Sequence, residues 1–374
     1  MSVSPRVRRQ EPELRREDTA IHLEGVTCTY PGAVTPALRG MDLAIRPGEF
    51  FSILGPSGSG KTTALRVIAG FERVQAGTVS IGGRVVGTPR RHEPADKRNV
   101  GVVFQDYALF PHIDVLGNIA FGLRSAPRDR WGEHVQALVR MAGLEGLEAR
   151  FPHELSGGQQ QRVAVARALA PNPVAILLDE PFSNLDRRLR AQLRREVRAL
   201  ISNIRATAVL VTHDREEALA MADRVAVLSD GRVLQADTPE ALYERPATPL
   251  VAQMAGPCDL LPGRIAGDRV ETEAGAFPCE RAMGNPVDGA PVLALVRSHE
   301  LTLERAGRPG DGGREARVVY HEFGGDSIEY DLRLASGAVL RLRQASDAHF
   351  EPGATVRLAV LPGRRVKVFD TSAT

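Results

Sequence analysis

Long apolar segments and paired cysteines are both missing from this 374-residue sequence. A transmembrane helix needs about 20 consecutive apolar residues, and no run approaches that length. The three cysteines, Cys28, Cys258 and Cys279, have no C-x-x-C spacing, which argues against a disulfide or zinc framework and favours a reducing compartment. Residues 1–19 are polar and charged without an apolar segment, so we expect a disordered tail and not a signal peptide.

An excess of one charge is also missing. The 48 basic and 46 acidic residues give a formal net charge of +2, and arginines are interleaved with acids. No basic stripe is present, which argues against a nucleic-acid partner. The length predicts two domains, and the composition is that of an ordinary globular protein.

One short stretch stands out against this background, because lysine occurs only at Lys61, Lys97 and Lys367. Lys61 lies in a match to G-x-x-x-x-G-K-[ST], the phosphate-binding loop between a strand and a helix. The match consists of Gly55, Pro56, Ser57, Gly58, Ser59, Gly60, Lys61 and Thr62. An apolar run from Phe50 to Leu54 precedes it, and a predicted helix from Thr63 to Ala69 follows, with Gly70 placed to end it. Residues 77–86 then predict a hairpin that turns at Gly82-Gly83.

The chemistry of phosphate binding explains these residue types. The three glycines allow positive φ and close approach of backbone N–H groups to phosphate oxygens, and the helix N-terminus adds positive partial charge. Lys61 is expected to reach the β- and γ-phosphates, and the Thr62 hydroxyl to bind Mg²⁺. The alternative is a flexible turn with a solvated lysine. The scarcity of lysine argues against it.

Further polar residues follow apolar runs that predict parallel strands. The run 99–104 precedes Gln105, the run 174–178 precedes Asp179 and Glu180, and the run 207–211 precedes Thr212 and His213. Ligands bind at the carboxyl ends of such strands. We therefore predict that these residues converge on the phosphate loop.

Each of these residues also has a structural interpretation. The Asp179–Glu180 pair could cap a turn, although its position favours a Mg²⁺ ligand at Asp179 and a base that activates water at Glu180. His213 could be a structural histidine, although its strand end favours a γ-phosphate contact. For Tyr30, stacking on a nucleotide base and filling the core of a small sheet are about equally supported.

A second candidate anion site begins at Ser156, Gly157, Gly158 and Gln159, which open a predicted helix extending to about Ala170. The simple interpretation is a serine N-cap. The functional interpretation is another glycine-rich helix N-terminus that contacts phosphate. Two such helix starts for one γ-phosphate suggest that two copies share each nucleotide.

The sequence pattern changes near Gly256-Pro257. Beyond it, apolar residues alternate with polar ones in short stretches such as Ile328–Leu334, Leu340–Leu342 and Val356–Val360. Gly, Pro and Asp separate the stretches, which predicts a small all-β, barrel-like domain.

Taken together, the motifs over about residues 20–250 resemble the ATP-binding subunit of an ATP-binding-cassette (ABC) transporter. The matching positions are Tyr30, 55–62, Gln105, 155–159, Asp179, Glu180, Ser183, Asn184, Leu185, Asp186 and His213. The resemblance implies that Tyr30 stacks on adenine and that Gln105 links Mg²⁺ to a transmembrane partner. It also implies that Glu180 is the catalytic base, that Lys61 and His213 contact the γ-phosphate, and that Thr63 adds to the ATP contacts.

The same resemblance implies an arrangement of two subunits. Residues 156–159 would contact the ATP of the other protomer, and Asp186 would pass between the two sites. The implied fold is an α/β P-loop NTPase cassette over 20–256, with a parallel-sheet core, an antiparallel β subdomain and a helical subdomain over about 106–170. A TOBE-like, OB-like β barrel over 257–374 would follow, as in importers for ferric iron, polyamines, sulfate or maltose.

These features imply an ATPase at the cytoplasmic face of the cell membrane. Its partners would be a second copy, two permease subunits and, indirectly, an extracytoplasmic solute-binding protein. Residues 110–123 resemble the surface that such importers press against the permease, although a core role explains Ile119 and Phe121 equally well. Ferric iron or a polyamine is the favoured solute. The alternatives are a DNA-repair or translation ABC ATPase, a solute-sensing ATPase and a simple P-loop kinase.

Overall fold

The structure, a computed structural model, describes residues 16–123, 131–183, 186–281, 287–305, 315–345, 349–361 and 363–371. The chain divides into two compact units between Pro239 and Glu240. Most of the tail predicted to be disordered lies outside the described residues. Residues 16–19 correct that prediction, because Arg16–Asp18 form a 3₁₀ turn and the Arg16 Nε atom donates a hydrogen bond to Ser80 Oγ at 2.6 Å.

The first unit combines two sheets. In chain order, its strands are β1 (Ile21–Cys28), β2 (Leu38–Ile45), β3 (Phe50–Leu54), β4 (Ala76–Ile81), β5 (Arg84–Gly87), β6 (Val100–Val103), β7 (Ala175–Asp179), β8 (Thr207–Thr212), β9 (Arg224–Ser229) and β10 (Arg232–Asp237). One sheet has the order β2-β1-β4-β5 with antiparallel pairing, and its β4–β5 hairpin turns at Gly82-Gly83 as predicted. The other has the order β10-β9-β3-β8-β7-β6 and is parallel except for β10.

The helices of this unit are α1 (Lys61–Ala69), α2 (Val115–Phe121), α3 (Trp131–Met141), α4 (Gly157–Leu169), α5 (Arg187–Asn203) and α6 (Arg215–Met221). Helix α1 ends where Gly70 adopts the left-handed conformation, as the sequence predicted. Helices α2, α3 and α4 supply the predicted helical region. They are separated by a 3₁₀ turn at Pro152–Glu154 and by residues outside the described ranges.

Helix α1 packs in the main core of this unit. One continuous buried cluster joins Leu23 of the antiparallel sheet, Ile53 and Leu177 of the parallel sheet, and Leu65 and Ile68 of α1. The parallel strands are apolar on both faces, as buried parallel strands must be. The loop between β3 and α1 is thus held between a rigid strand and a buried helix.

The second unit begins earlier than the predicted residue 257. Its helices are α7 (Pro239–Glu244), at the boundary, and α8 (Pro249–Ala255). Ala252 of α8 packs with Leu295 and Phe369, and Tyr243 of α7 stacks beneath the Arg297 guanidinium at 3.7 Å. These contacts explain why both helices associate with the β region. The local sequence pattern did not indicate this association.

The β region contains a barrel and a separate sheet. Its strands are β11 (Asp259–Ala266), β12 (Arg269–Thr272), β13 (Gly275–Arg281), β14 (Pro291–Val296), β15 (Leu301–Arg305), β16 (Glu315–Phe323), β17 (Ser327–Arg333), β18 (Val339–Ala345), β19 (Thr355–Val360) and β20 (Val366–Asp370). The barrel closes in the order β11-β12-β13-β20-β14, and the sheet has the order β15-β19-β16-β17-β18. The predicted all-β, OB-like class is confirmed. Among the described residues, no helix combines the length and apolarity needed to cross a bilayer.

Candidate functional site

The phosphate loop runs from the end of β3 to the start of α1, as predicted. Gly58 and Gly60 have φ values of 80° and 104°, in the region that favours glycine. Gly55 does not adopt positive φ, contrary to our expectation for all three glycines. It is required for another reason, because a Cβ atom there would lie 2.2 Å from the Leu228 carbonyl oxygen of β9.

Lys61 curls back over this loop. Its Nζ atom donates hydrogen bonds to the carbonyl oxygens of Gly55 and Pro56, both at 2.9 Å. Burial lowers the pKa of the lysine ammonium, and the negative charges of Glu180 and Asp179 oppose that lowering. The site therefore combines a buried ammonium, which can bind an anion, with two carboxylates, which can bind a cation.

Asp179 and Glu180 form the acidic side of the site. Burial raises the pKa of the Asp179 carboxyl, and the Glu180 charge raises it further, while Arg66 and Lys61 lower it. Glu180 has φ of 45°, and its N–H donates to the Val211 carbonyl oxygen at 2.9 Å, which fixes it between β7 and β8. A non-glycine residue with positive φ is uncommon and is held here by that neighbouring strand.

His213 follows β8 and completes the convergence that the strand ends predict. Its Nδ1 atom lies 3.1 Å from Glu180 Oε2, and the imidazole is largely exposed while the carboxylate is mostly covered. The structure therefore brings Lys61, Asp179, Glu180 and His213 to one edge of the parallel sheet. Their chemical roles remain predictions.

Tyr30 lies beyond the end of β1, in the turn that leads to β2. Its hydroxyl group is 3.1 Å from Thr63 Oγ1 of α1, and its side chain is half-buried. The ring is therefore beside the first turn of α1 and outside the main core. Stacking of this ring on a nucleotide base stays a prediction.

The helix start at Ser156 is capped within its own chain. Ser156 Oγ accepts a hydrogen bond from the Gln159 N–H at 3.3 Å, and Gln159 Oε1 accepts one from the Ser156 N–H at 2.8 Å. This reciprocal pair is a capping box. A Cβ at Gly158 would approach the Leu193 side chain of α5 to 2.8 Å, whereas Ser156 itself is exposed. The start of α4 is therefore accessible at the surface through the exposed serine.

Two further predicted residues lie near other helix and strand ends. Asp186 caps α5 by accepting hydrogen bonds from the N–H groups of Arg188 and Leu189, at 3.1 and 3.0 Å. Gln105 is exposed just beyond β6. Asn184 and Leu185 lie outside the described residues, whereas Ser183 Oγ donates to the Glu180 carbonyl oxygen at 3.0 Å.

The segment after Gln105 is more constrained than the sequence suggested. Tyr107 and Ala108 both have positive φ, and the Arg167 guanidinium donates to their carbonyl oxygens at 2.8 and 2.7 Å. The arginine also lies over the Phe110 ring. Sequence reasoning missed Arg167, since an arginine within a helix gives no local sign of its partners.

The proposed permease surface at 110–123 is only partly exposed. The buried Asn118 side chain accepts a hydrogen bond from the Phe110 N–H at 2.9 Å and donates to the carbonyl oxygens of Phe110, Ile113 and Asp114. Ile119 is fully buried, so the core interpretation is correct for it. Pro111 and His112 are exposed.

Known proteins resemble this chain along nearly all its length. The family model described as "ABC transporter" matches residues 38–183, and the model described as "TOBE domain" matches 294–366. The first match includes 55–62, Gln105, 156–159 and the Asp179–Glu180 pair.

Three relatives illustrate the similarity. The spermidine/putrescine import ATP-binding protein PotA of Rubrobacter xylanophilus is 43% identical, over 94% of each chain. The Fe(3+) ions import ATP-binding protein FbpC 1 of Rhizobium meliloti is 40% identical, over 89% of this chain and 93% of its own. The sulfate/thiosulfate import ATP-binding protein CysA 2 of Chromobacterium violaceum is 42% identical, over 91% and 90%.

A solved structure agrees with these matches. CbiO1 of Clostridium perfringens, part of the ABC transporter complex cbiONQ, superposes with a TM-score of 0.56 at 27% identity. The superposition covers 60% of this chain and 91% of cbiO1.

Proposed function

This chain belongs to the ABC transporter family, as an ATP-hydrolysing subunit of the import type, and on that premise we propose that two copies of it bind two ATP molecules between them. Each ATP would lie on the phosphate loop of one protomer and against the Ser156 helix start of the other. The convergence of Lys61, Asp179, Glu180 and His213 at one sheet edge supports hydrolysis. The exposed and capped helix start at Ser156 is the observation that carries the sharing between two copies.

The four residues have distinct roles in the proposed hydrolysis. Lys61 neutralises the β- and γ-phosphates at the start of α1, where the helix adds positive partial charge. Glu180 accepts a proton from the water that attacks the γ-phosphate. His213, 3.1 Å from Glu180, orients that carboxylate and contacts the γ-phosphate.

The residues around Asp179 fit a magnesium ion. The Asp179 carboxyl is mostly covered, and burial and the Glu180 charge raise its pKa. A nearby cation would therefore stabilise its ionised form. Thr62, Asp179 and Gln105 would hold the ion, all through oxygen atoms, as Mg²⁺ prefers. The ion would there offset the charge that develops on the phosphate oxygens.

Sharing of ATP between two copies couples binding to movement. A ligand shifts a conformational equilibrium only through its different affinity for the two states. An ATP that touches both protomers favours the closed pair, and loss of its γ-phosphate removes the bridge. The exposed Ser156, already ordered by its capping box, supplies the second contact surface.

The proposed membrane partners are two permease subunits, which this chain would contact at the cytoplasmic face of the membrane. Phe71 and Phe104 are exposed aromatics whose ring centroids are 6.2 Å apart, next to Gln105. Exposed apolar side chains of this kind favour a protein interface. Pro111 and His112, held by the Asn118 network, extend the same candidate surface.

The cargo we propose is ferric ion or a polyamine, delivered to the permease by an extracytoplasmic binding protein. Relatives named for polyamine, ferric ion and sulfate import are 43, 40 and 42% identical, so overall similarity to them is nearly equal. Uptake by a strain that lacks this chain and regains it from a plasmid would test the cargo. Restored sulfate uptake alone would contradict our choice.

The shared ATP pocket is tested by placing a large cation at the exposed helix start. Ser156→Arg should abolish ATP hydrolysis and ATP-dependent dimerisation, measured by light scattering, while ATP still binds to single protomers. Ser202→Arg, at another exposed serine, is the matched control and should behave as the wild type. Normal hydrolysis by Ser156→Arg would contradict the shared pocket.

A further inference from the structure

Three potential metal ligands meet in the second unit, away from every residue assigned above. They are His321 on β16 and His349 and Glu351 in the segment before β19. One ligand atom from each residue lies within 4.8 Å of the other two. From this cluster we propose that His321, His349 and Glu351 bind one divalent transition-metal ion of the Zn²⁺ class.

A buried aromatic residue positions two of the three ligands. Phe350 packs its ring against Tyr330, and its N–H donates to the Tyr330 hydroxyl at 3.3 Å. His349 and Glu351 flank this buried residue, and both of their side chains are exposed. His349 Nε2 lies 3.0 Å from Glu351 Oε1.

The third ligand is oriented by the same phenylalanine. His321 Nδ1 lies 3.2 Å from the Phe350 carbonyl oxygen. A carbonyl can only accept, so Nδ1 carries the proton and Nε2 keeps its lone pair. Histidines that bind metals have this arrangement, with one ring nitrogen fixed by a backbone carbonyl and the other free to coordinate.

The donor set selects the class of ion. Two imidazoles and one carboxylate are typical ligands for Zn²⁺, whereas Mg²⁺ and Ca²⁺ prefer oxygen ligands alone. With Zn–N distances of about 2.0–2.1 Å, donor atoms on a tetrahedral ion lie about 3.3 Å apart. The His349–Glu351 pair already has a similar separation.

The remaining separations can close by side-chain rotation. The His349 and Glu351 side chains are 49% and 74% exposed, so they can turn without displacing core atoms. The rings of His321 and His349 are already in contact, with centroids 4.8 Å apart. A metal ion here would join β16 to the segment before β19 and leave a fourth coordination position open to water.

The test uses tag-free, full-length protein treated with chelator and then titrated with Zn²⁺ against a chromophoric competitor. Wild type should bind one more equivalent of Zn²⁺ than the double variant His349→Asn/Glu351→Gln. Both substituted side chains are exposed, so the variant should retain the fold. His299→Asn, at a histidine in the same unit that contacts Tyr243, is the control and should keep the full stoichiometry.

Two further readouts separate coordination from a structural effect. Co²⁺ should give a visible d–d spectrum with wild type that the double variant lacks. Zn²⁺ should raise the Tm of the wild-type second unit and leave that of the double variant unchanged. Equal Zn²⁺ stoichiometry for wild type and the double variant would overturn the proposal, whatever the ATPase activity of either protein.

Discussion

Glu180 and His213 meet across the ends of two adjacent parallel strands, with 3.1 Å between Glu180 Oε2 and His213 Nδ1. The carboxylate is fixed on its backbone side by the hydrogen bond from its own N–H to Val211. One residue thus links β7 to β8 through its main chain and its side chain. A group held this firmly is suited to orient a water molecule.

We expect Glu180→Gln to lower kcat for ATP hydrolysis by about 10²-fold or more, because the amide cannot accept the proton. ATP affinity should persist. The ATP-bound dimer should accumulate, because the γ-phosphate that contacts both protomers is not removed. Steady-state phosphate release and light scattering measure the two effects. Glu216→Gln, an exposed carboxyl on α6, is the control, and normal turnover by Glu180→Gln would remove Glu180 from its assigned role.

Lys61→Ala should weaken ATP binding by roughly tenfold or more, since a charge-assisted contact worth about 1.5–3 kcal/mol is lost. Fluorescence titration with a labelled ATP analogue measures the change. Lys97→Ala is a matched control, because Lys97 is exposed on a 3₁₀ turn. If Lys61→Ala retains wild-type affinity, the phosphate-loop assignment fails.

Asp179→Asn should raise the Tm at neutral pH while abolishing hydrolysis. Burial raises the pKa of Asp179 above its ordinary value of 3.8, so the folded state binds the proton more tightly than the unfolded state. The Asp179 contribution is therefore favourable at low pH and is lost as the pH rises through the folded pKa. The amide of the Asp179→Asn variant carries no charge, so this loss of stability does not occur in the variant.

The difference in Tm between Asp179→Asn and wild type should shrink as the pH falls below the ordinary aspartate range. Thermal scans of both proteins from neutral to acidic pH test this dependence. Asp42→Asn, at an exposed aspartate of β2, is the comparison variant in the same scans. A variant less stable than wild type at neutral pH would refute the burial argument.

Arg98→Ala should destabilise the first unit by about 3 kcal/mol or more, since carbonyl groups at the end of α1 would lose a buried charged donor. The side chain is 1% exposed, and its guanidinium donates to the Val67 and Ile68 carbonyl oxygens at 2.6 and 3.0 Å. Burial lowers its pKa to about 10. Urea unfolding measures the change.

Arg90→Ala is the comparison for Arg98, because the Arg90 side chain is exposed. It should leave the unfolding midpoint unchanged within error. Equal midpoints for both variants would show that the guanidinium contacts at the end of α1 add no stability.

The sequence predicted those parts of the fold that depend on local patterns. The β4–β5 hairpin follows from Gly82-Gly83, and the end of α1 follows from Gly70, since each glycine has the positive φ that its turn requires. The parallel strands follow from apolar runs that each end at a polar residue. Such signals lie within a few residues of the feature they specify.

Features that depend on distant contacts were missed or misplaced. Sequence reasoning did not single out Arg98, because its partners Val67 and Ile68 lie about thirty residues earlier. Gly55 is required by the Leu228 carbonyl group on another strand, which no local pattern reveals. The unit boundary was misplaced because Tyr243 packs on Arg297, far along the chain.

The order of strands in the barrel has a consequence for synthesis on the ribosome. Strand β20 pairs with both β13 and β14, so the ring cannot close until residues 366–370 have been translated and have left the exit tunnel. The nucleotide-binding unit ends at Pro239 and can fold long before that. A premature stop codon shortly before residue 366 would therefore release a folded first unit attached to an open barrel with two unpaired strand edges, a form prone to aggregation.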